Sequence, residues 1–264
     1  MLGSVAEAED VVQDAWLRWQ QTDHSQVRDP IGFLVTTTSR LALNAATSAR
    51  SRRERYPGPW LPEPVDTSAD PLFQAERNES LELAVLLLLE RLRPAERAVY
   101  VLREAFDYPF RQIGEVLGIT EANARQLGRR ARQHLAKERH DPVARADHGR
   151  LLRAFLAAAR SGDLGQLEKL LSETTISYAD GGGIVRAAPA PVVGRDNVAR
   201  YIVGLIRKFG SDLSLEIVES NGQAAVLLSR AGTAAAFVTI DASPAGIEQV
   251  LIILNPQKLT QFQR

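Results

Sequence analysis

The 264-residue chain has no cysteine, a single methionine, few aromatic residues and no net charge. Without cysteine there is no disulfide scaffold, no thiolate zinc site and no cysteine nucleophile, and the composition fits a reducing compartment, the cytoplasm. Long hydrophobic runs are also missing. The most apolar stretch, residues 81–92, is too short to span a bilayer and is broken by Glu82 and Glu90, so no membrane is expected. The first ten residues carry Glu7, Glu9 and Asp10 and no apolar signal core, so no secretion signal is expected. Zero net charge argues against nonspecific nucleic-acid binding by the molecule as a whole.

The 45% apolar content supports real cores, and the length suggests two or three compact units. Charge is uneven along the chain. Glu7, Glu9, Asp10 and Asp14 make an acidic start; Arg50, Arg52, Arg53 and Arg55 form one basic cluster; Arg125, Arg129, Arg130, Arg132, Lys137 and Arg139 form another. A run of this kind is either a solvated helix face or a nucleic-acid contact, and charge alone does not choose.

Helical periodicity opens the chain, with Val11, Val12, Ala15, Leu17 and Trp19 among acids and arginines. Asp29-Pro30 reads as a cap followed by proline in the first turn of a second helix, which carries Phe33, Leu34, Leu41 and Leu43. The proline-rich stretch 56–64 cannot hold a helix, and 56–71 reads as a linker. Helical signal returns at Glu76, restarts at Pro94, and ends in two helices joined at Gly118-Ile119, the second capped by Thr120.

After Asp141-Pro142 come two helices joined by Gly162-Asp163, a C-terminal glycine next to an N-cap. Strand-like runs follow at 175–179, 213–219, 224–229, 234–241 and 248–254, with the turn Asn221-Gly222 between two of them. A helix with Val198, Ile202, Leu205, Ile206 and Phe209 interrupts the strands. The fold class expected is multidomain: two all-α domains, then an α+β domain with a mostly antiparallel sheet. The expected divisions are 1–55, a linker 56–75, 76–139, a linker 140–147, and 148–264.

The segment 109–134 is a helix-turn-helix candidate. Phe110, Ile113 and Leu117 share one face of its first helix; Ala124, Leu127, Ala131 and Leu135 face inward on the second. Small residues, Ala122 and Ala124, are expected to let the helices pack closely. Arg125, Arg129 and Arg132 then lie on another face, with Glu121, Asn123 and Gln126 near the helix start, where such units reach base edges. A helical hairpin of an unrelated all-α protein has the same geometry, and the pattern alone leaves both readings open.

Residues 2–19 (LGSVAEAEDVVQDAWLRW) and 92–104 (LRPAERAVYVLRE) resemble regions 2 and 4 of bacterial extracytoplasmic-function (ECF) sigma factors, and the helix-turn-helix follows at the expected place. Trp60, Leu61, Pro62, Glu63 and Pro64 resemble the linker signature of the subgroup with a C-terminal SnoaL-like extension. Asp180, Gly181, Gly182 and Gly183, with the segment Asn255, Pro256, Gln257, Lys258 and Leu259, resemble that extension's two signatures. The resemblance implies two sigma domains, the second with the helix-turn-helix, followed by a SnoaL-like cone-shaped α+β barrel.

The resemblance also implies partners. Core RNA polymerase would take the acidic first helix (Asp10, Gln13, Asp14, Trp16) on its β′ clamp region and region 4 on its β flap. Promoter DNA would be melted and read at the −10 element by Arg40, Asn44, Arg50, Arg52 and Arg53. The −35 element would be read by Glu121, Asn123, Arg125, Gln126, Arg129, Arg130 and Arg132. Asn44 is equally readable as a plain helix-terminus residue. The two extension signatures would contact the linker, with Trp60 as a buried anchor, and modulate transcription in cis. An unidentified small ligand would sit in the SnoaL-like pocket.

Departures from the family pattern are visible. The family normally has another helix before the Met-Leu-Gly motif, and here the motif opens the sequence. Ile184 and Gln257 stand where lysine and aspartate are usual, so ion pairs of those positions are expected to be absent. No catalytic residue and no cofactor are expected. Asp180, Tyr178 and Asp241 are the general-base candidates, but none has a partner at a readable spacing, and His148 lies in a helix. The alternatives are an operator-binding regulator that works without polymerase, and a SnoaL-type enzyme or ligand-binding protein with a vestigial sigma segment.

Overall fold

The computed structural model describes residues 1–67, 83–136, 141 and 143–263. The chain divides into two compact units, Met1–Arg55 with Leu86–Arg139, and Tyr56–Val85 with His140–Arg264.

The first unit is helical. Helix α1 (Val5–Gln20) starts at Ser4, whose side chain accepts the Glu7 N–H, and buries Val11 and Ala15. Val12, Trp16 and Leu17 face solvent. Helix α2 (Pro30–Arg53) is capped by Asp29, whose Oδ1 accepts the Gly32 N–H at 2.9 Å, with Pro30 in the first turn. Among the described residues its buried positions are Ser39, Ala42, Ala46 and Ala49, at spacings of three, four and three, rather than its larger side chains Phe33, Leu34, Leu41 and Leu43, which are half-buried. A stripe of alanines lets helix backbones approach closely.

Helices α3 (Leu83–Arg91), α4 (Pro94–Glu104), α5 (Phe110–Leu117) and α6 (Glu121–Ala136) follow. The expected helix start at Glu76 lies outside the described residues, as do Lys137, Arg139 and Pro142. Val99, Leu102, Ile113, Val116 and Ala124 form the core of this half, with Val35 of α2 packed against it. Ala124 is buried as expected, but Ala122 is exposed. The close approach of α5 to α6 is made by glycine instead: a Cβ on Gly128 would stand 2.9 Å from the Phe110 ring.

The second unit has helices α7 (Arg145–Ser161), α8 (Leu164–Leu170) and α9 (Arg195–Phe209) and six strands. These are β1 (Leu171–Asp180), β2 (Val192–Val193), β3 (Ser214–Ser220), β4 (Gln223–Arg230), β5 (Thr233–Ser243) and β6 (Gly246–Ile253). The order is β2-β1-β6-β5-β4-β3, with β1 and β6 parallel and the other neighbours antiparallel. The expected barrel is therefore corrected. The order ends on β2 and β3, which do not pair, so the sheet stays open; closure needs every strand paired on both sides.

Asn221-Gly222 joins β3 to β4 with φ of 52° and 76°, the left-handed pair that matches hairpin twist. Ala231-Gly232 does the same between β4 and β5, with an alanine at φ 50° that composition does not announce. One face of the sheet buries Val226, Val238, Ile240, Val250 and Ile252 against Leu152, Phe155, Val198 and Ile202 of the helices. Because strand side chains alternate, Phe237 and Leu251 point to the other face, where Phe262 of the C-terminal segment packs 5.5 Å from the Phe237 ring. No described helix is long and apolar enough to cross a membrane.

Candidate functional site

In the first unit the expected surface residues divide into free-standing and engaged ones. On α1, Asp10, Gln13, Asp14 and Trp16 are all exposed, and Trp16 is 55% exposed although large and apolar. Asn44 is exposed midway along α2, which removes its plain reading as a helix-terminus residue. Arg50 is exposed and lies 3.8 Å from Glu54.

The other α2 arginines are engaged. Arg40 donates from Nε to the Val116 carbonyl at 2.8 Å and from Nη2 to the Glu115 carbonyl at 3.3 Å. Arg52 pairs with Glu7, and Arg53 with Glu90 and Glu7. Glu90 also binds Arg97 through both carboxylate oxygens, at 2.6 and 3.0 Å, and Arg97 reaches the Met1 carbonyl at 2.8 Å. Arg97 is 4% exposed; burial, with Arg50 nearby, lowers its pKa to about 10, so it stays charged at neutral pH. Glu90 lies outside the motifs of the sequence, and Arg97, inside the stretch that resembles region 4, is not singled out there.

The helix-turn-helix is built locally. Gly118 ends α5 at φ 70°, a conformation other residues adopt at a cost, and Thr120 caps α6 by accepting the Asn123 N–H at 3.2 Å. On α6, Asn123, Arg125, Gln126, Arg129, Arg130 and Arg132 are exposed, and Glu121 is half-buried. Arg125 pairs with Glu121 at 2.5 Å and Arg132 with Glu104 at 2.8 Å. The Arg125 guanidinium also lies over the Phe110 ring.

In the second unit the three remote signatures meet at one carboxylate. Asp180, at the end of β1, is fully buried. Its Oδ1 accepts from the Tyr56 hydroxyl (2.7 Å) and the Gly182 N–H (3.0 Å); its Oδ2 accepts from the Leu61 N–H (2.9 Å) and Lys258 Nζ (2.7 Å). Lys258 also donates to the Leu61 carbonyl and lies 4.1 Å from the centre of the Trp60 ring. Asn255 donates from Nδ2 to the Tyr56 hydroxyl at 3.0 Å and accepts the Gln257 N–H. Burial beside Asp180 pushes the Tyr56 phenol well above its usual value, so it stays a donor.

The turn Gly181-Gly182-Gly183 lets the linker approach. Gly183 has φ 72°, and a Cβ there would stand 2.7 Å from Pro57 Cγ. Farther along, residues 65–67 attach to the β3–β4 turn: Asp66 bridges Ser220, and Val65 exchanges hydrogen bonds with Asn221. Residues 56–67 thus form a strap on the α+β unit.

The expected buried anchor, Trp60, is half-buried. Leu61 is the fully buried residue, flanked by buried Pro62 and Pro64 and half-buried Glu63. The reason is chemical: the indole offers one face to the Lys258 ammonium, while both backbone polar groups of Leu61 are bonded inside. Pro256 opens the short 3-10 turn Pro256–Lys258, and Leu259 is buried just after it. Ile184 and Gln257 are exposed.

Four donors on a carboxylate without solvent contact leave Asp180 no capacity as a general base. Tyr178 and Asp241 are half-buried on strands separated by β6. His148 is buried with Nε2 2.9 Å from the Ile240 carbonyl, and burial lowers its pKa. Among the described residues no group of three or more His, Asp or Glu could hold a metal ion.

Comparison with known proteins adds the following. Residues 1–52 match the family model of sigma-70 region 2, and residues 82–135 that of sigma-70 region 4. The chain is 40% identical over 222 residues to the ECF RNA polymerase sigma factor SigJ of Mycobacterium tuberculosis, spanning 81% of this chain and 70% of that protein. The crystal structure of that SigJ superposes with a TM-score of 0.80 at 34% identity, covering 98% of this chain and 91% of the other. The probable ECF sigma factor SigI of the same species is 32% identical over 265 residues, 98% of this chain and 88% of that protein. A SnoaL-like protein of unknown function from Burkholderia thailandensis matches at 18% identity and a TM-score of 0.32, covering 42% of this chain and 97% of its own.

Proposed function

The chain belongs to the extracytoplasmic-function RNA polymerase sigma factors, and on that premise we propose how its parts divide the work of directing core RNA polymerase to promoter DNA. Exposed Asp10, Gln13, Asp14 and Trp16 of α1 dock on the β′ clamp region, where carboxylates meet a basic partner and Trp16 buries its ring. Region 4 meets the β flap. Asn44 receives a base of the melted −10 strand, with Arg40, Arg50, Arg52 and Arg53 around the backbone. Helix α6 enters the −35 major groove with Glu121, Asn123 and Gln126 toward base edges, and with Arg125, Arg129, Arg130 and Arg132 toward phosphates. These steps take place in the cytoplasm, where polymerase and promoters are.

The C-terminal unit acts as a regulator in cis and not as an enzyme. The observation that carries this is the Asp180–Lys258 pair closed around the Leu61 backbone. The strapped residues belong to the segment that joins region 2 to region 4. Each residue held down is one that cannot extend the tether, at roughly 3.4 Å per residue. Closing or releasing the strap therefore changes how far apart the two DNA-reading elements can reach. A small ligand or partner that shifts the strap would be the input signal.

Deleting residues 255–264 removes Asn255 and Lys258 together. In run-off transcription with purified core RNA polymerase on the fragment upstream of the gene, the truncated chain is expected to change transcript yield while the helical unit keeps its circular-dichroism signal. Equal yields from full-length and truncated chains would overturn regulation in cis.

A further inference from the structure

We propose that Phe110 of α5 is a positioning residue: acting through Arg125, its ring sets the Glu121 carboxylate to accept a hydrogen bond from one cytosine of the −35 element. This rests on the reading of α6 as the helix that enters the −35 major groove.

Glu121 and Arg125 stand one turn apart at the start of α6, and Arg125 donates from Nε (3.2 Å) and Nη2 (2.5 Å) to the same oxygen, Oε1. Glu121 Oε2 and Arg125 Nη1 are left for groups outside the pair. The two side chains are 41% and 63% exposed, and an open pair at this spacing ordinarily holds no fixed geometry. This one is backed by a ring: the Arg125 guanidinium lies 5.4 Å from the centre of Phe110. Phe110 is itself held. Gly128 of α6 comes so close that a Cβ there would stand 2.9 Å from the ring, and Arg103, tied to the Tyr108 carbonyl at 3.1 Å, lies 5.6 Å from the same ring centre. The Glu121 backbone is fixed from α5 as well. A Cβ on Gly114 would stand 2.7 Å from the Ile119 carbonyl and 3.3 Å from the Glu121 nitrogen.

A carboxylate brought between phosphates is repelled unless a cation offsets its charge and a donor meets it. Arg125 supplies the cation. A base edge supplies the donor, because an ionised carboxylate accepts and never donates. In the major groove cytosine shows its N4 amino group as a donor, whereas adenine shows N6 beside the N7 acceptor, which repels a carboxylate. The open Oε2 therefore selects cytosine. Without the ring at position 110, Arg125 turns away and Glu121 loses its orientation, so the loss is read as one base preference and not as binding in general. A Glu121–Arg125 pair that served only to stabilise the helix start would leave base preference unchanged.

The test is a binding selection with core RNA polymerase, the full chain and the fragment upstream of the gene, randomised across its −35 element, with the bound DNA sequenced. The wild type is expected to hold cytosine at one position. Phe110→Leu should lower that preference about fivefold or more and leave the other positions as they are, while Phe110→Tyr, which keeps the ring, retains it. Glu121→Gln leaves Phe110 in place and should move the same position toward adenine, since a side-chain amide meets N6 and N7 together. Cytosine preference unchanged in Phe110→Leu, a loss spread evenly over all positions, or cytosine retained by Glu121→Gln would each overturn the proposal, provided that binding still weakens in Arg129→Ala and Arg130→Ala. Binding indifferent to those two arginines would mean that α6 is not on the DNA; the reading of α6 then fails, and the positioning with it.

Discussion

Lys258 Nζ lies 2.7 Å from Asp180 Oδ2, the side chains 7% and 0% exposed, and the peptide groups of Leu61 close the ring between them. A buried ion pair of this kind is weak as a source of net stability but costly to break on one side. The remaining charge then has neither water nor a counter-charge, only the neutral groups around it.

Lys258→Met is therefore expected to destabilise the C-terminal unit by about 3–5 kcal/mol, and Lys258→Met with Asp180→Asn by less than the sum of the two single changes. Urea unfolding followed by fluorescence, with Trp16 and Trp19 replaced by phenylalanine so that Trp60 alone reports, reads both the loss and the coupling. Additive effects would mean the two side chains do not act as a pair.

Gly183→Ala should loosen the strap without touching the ion pair. Its φ of 72° disfavours a side chain, and the new Cβ would press on Pro57. Strain of this kind costs about 1–3 kcal/mol. Limited proteolysis should cut within residues 56–67 faster in this variant, while the sheet strands stay protected.

His148 gives the C-terminal unit a pH dependence of known sign. Burial lowers its pKa below the ordinary 6.5, so the unfolded chain binds a proton that the folded chain refuses. Its contribution is complete above about pH 6.5 and is lost as pH falls through that value toward the folded pKa. Thermal melts of the wild type between pH 8 and pH 5 should show this loss. His148→Gln should flatten that part of the profile, although its melting temperature at pH 8 is lower.

Arg129→Ala and Arg130→Ala should weaken promoter binding by the holoenzyme on all sequences alike and lower the salt slope by about one unit each. Gln126→Ala should instead relax preference at a single −35 position, at about 1–3 kcal/mol. Fluorescence anisotropy across a salt series, with wild-type and base-changed −35 elements, separates phosphate holding from base reading.

What the sequence made legible was local. Asp29-Pro30, Gly162-Asp163, Thr120 and Asn221-Gly222 act within four residues of themselves, and caps and turns of that range are written in adjacent letters. The helix-turn-helix was legible for the same reason. The Ala231-Gly232 turn was not, because alanine carries no signal for φ 50°.

Long-range pairings were legible only as motifs without geometry. Asp180 and Lys258 are 78 positions apart, and Arg40 and Val116 are 76 apart. Nothing in the alternation of β1 announces that β6 lies parallel beside it and completes an open sheet. In the extended linker, neighbouring side chains point in opposite directions, so pattern alone could not say whether Trp60 or Leu61 was the one inside.

Regulation through the strap is decided by run-off transcription with core RNA polymerase and the wild-type chain, Lys258→Met, Asp180→Asn and the double variant, on the fragment upstream of the gene. Expected are sigma-dependent transcripts from the wild type, a several-fold change in the same direction from each single variant, and no further change when the two are combined. Wild-type yields from chains whose strap is shown by proteolysis to be released would contradict it.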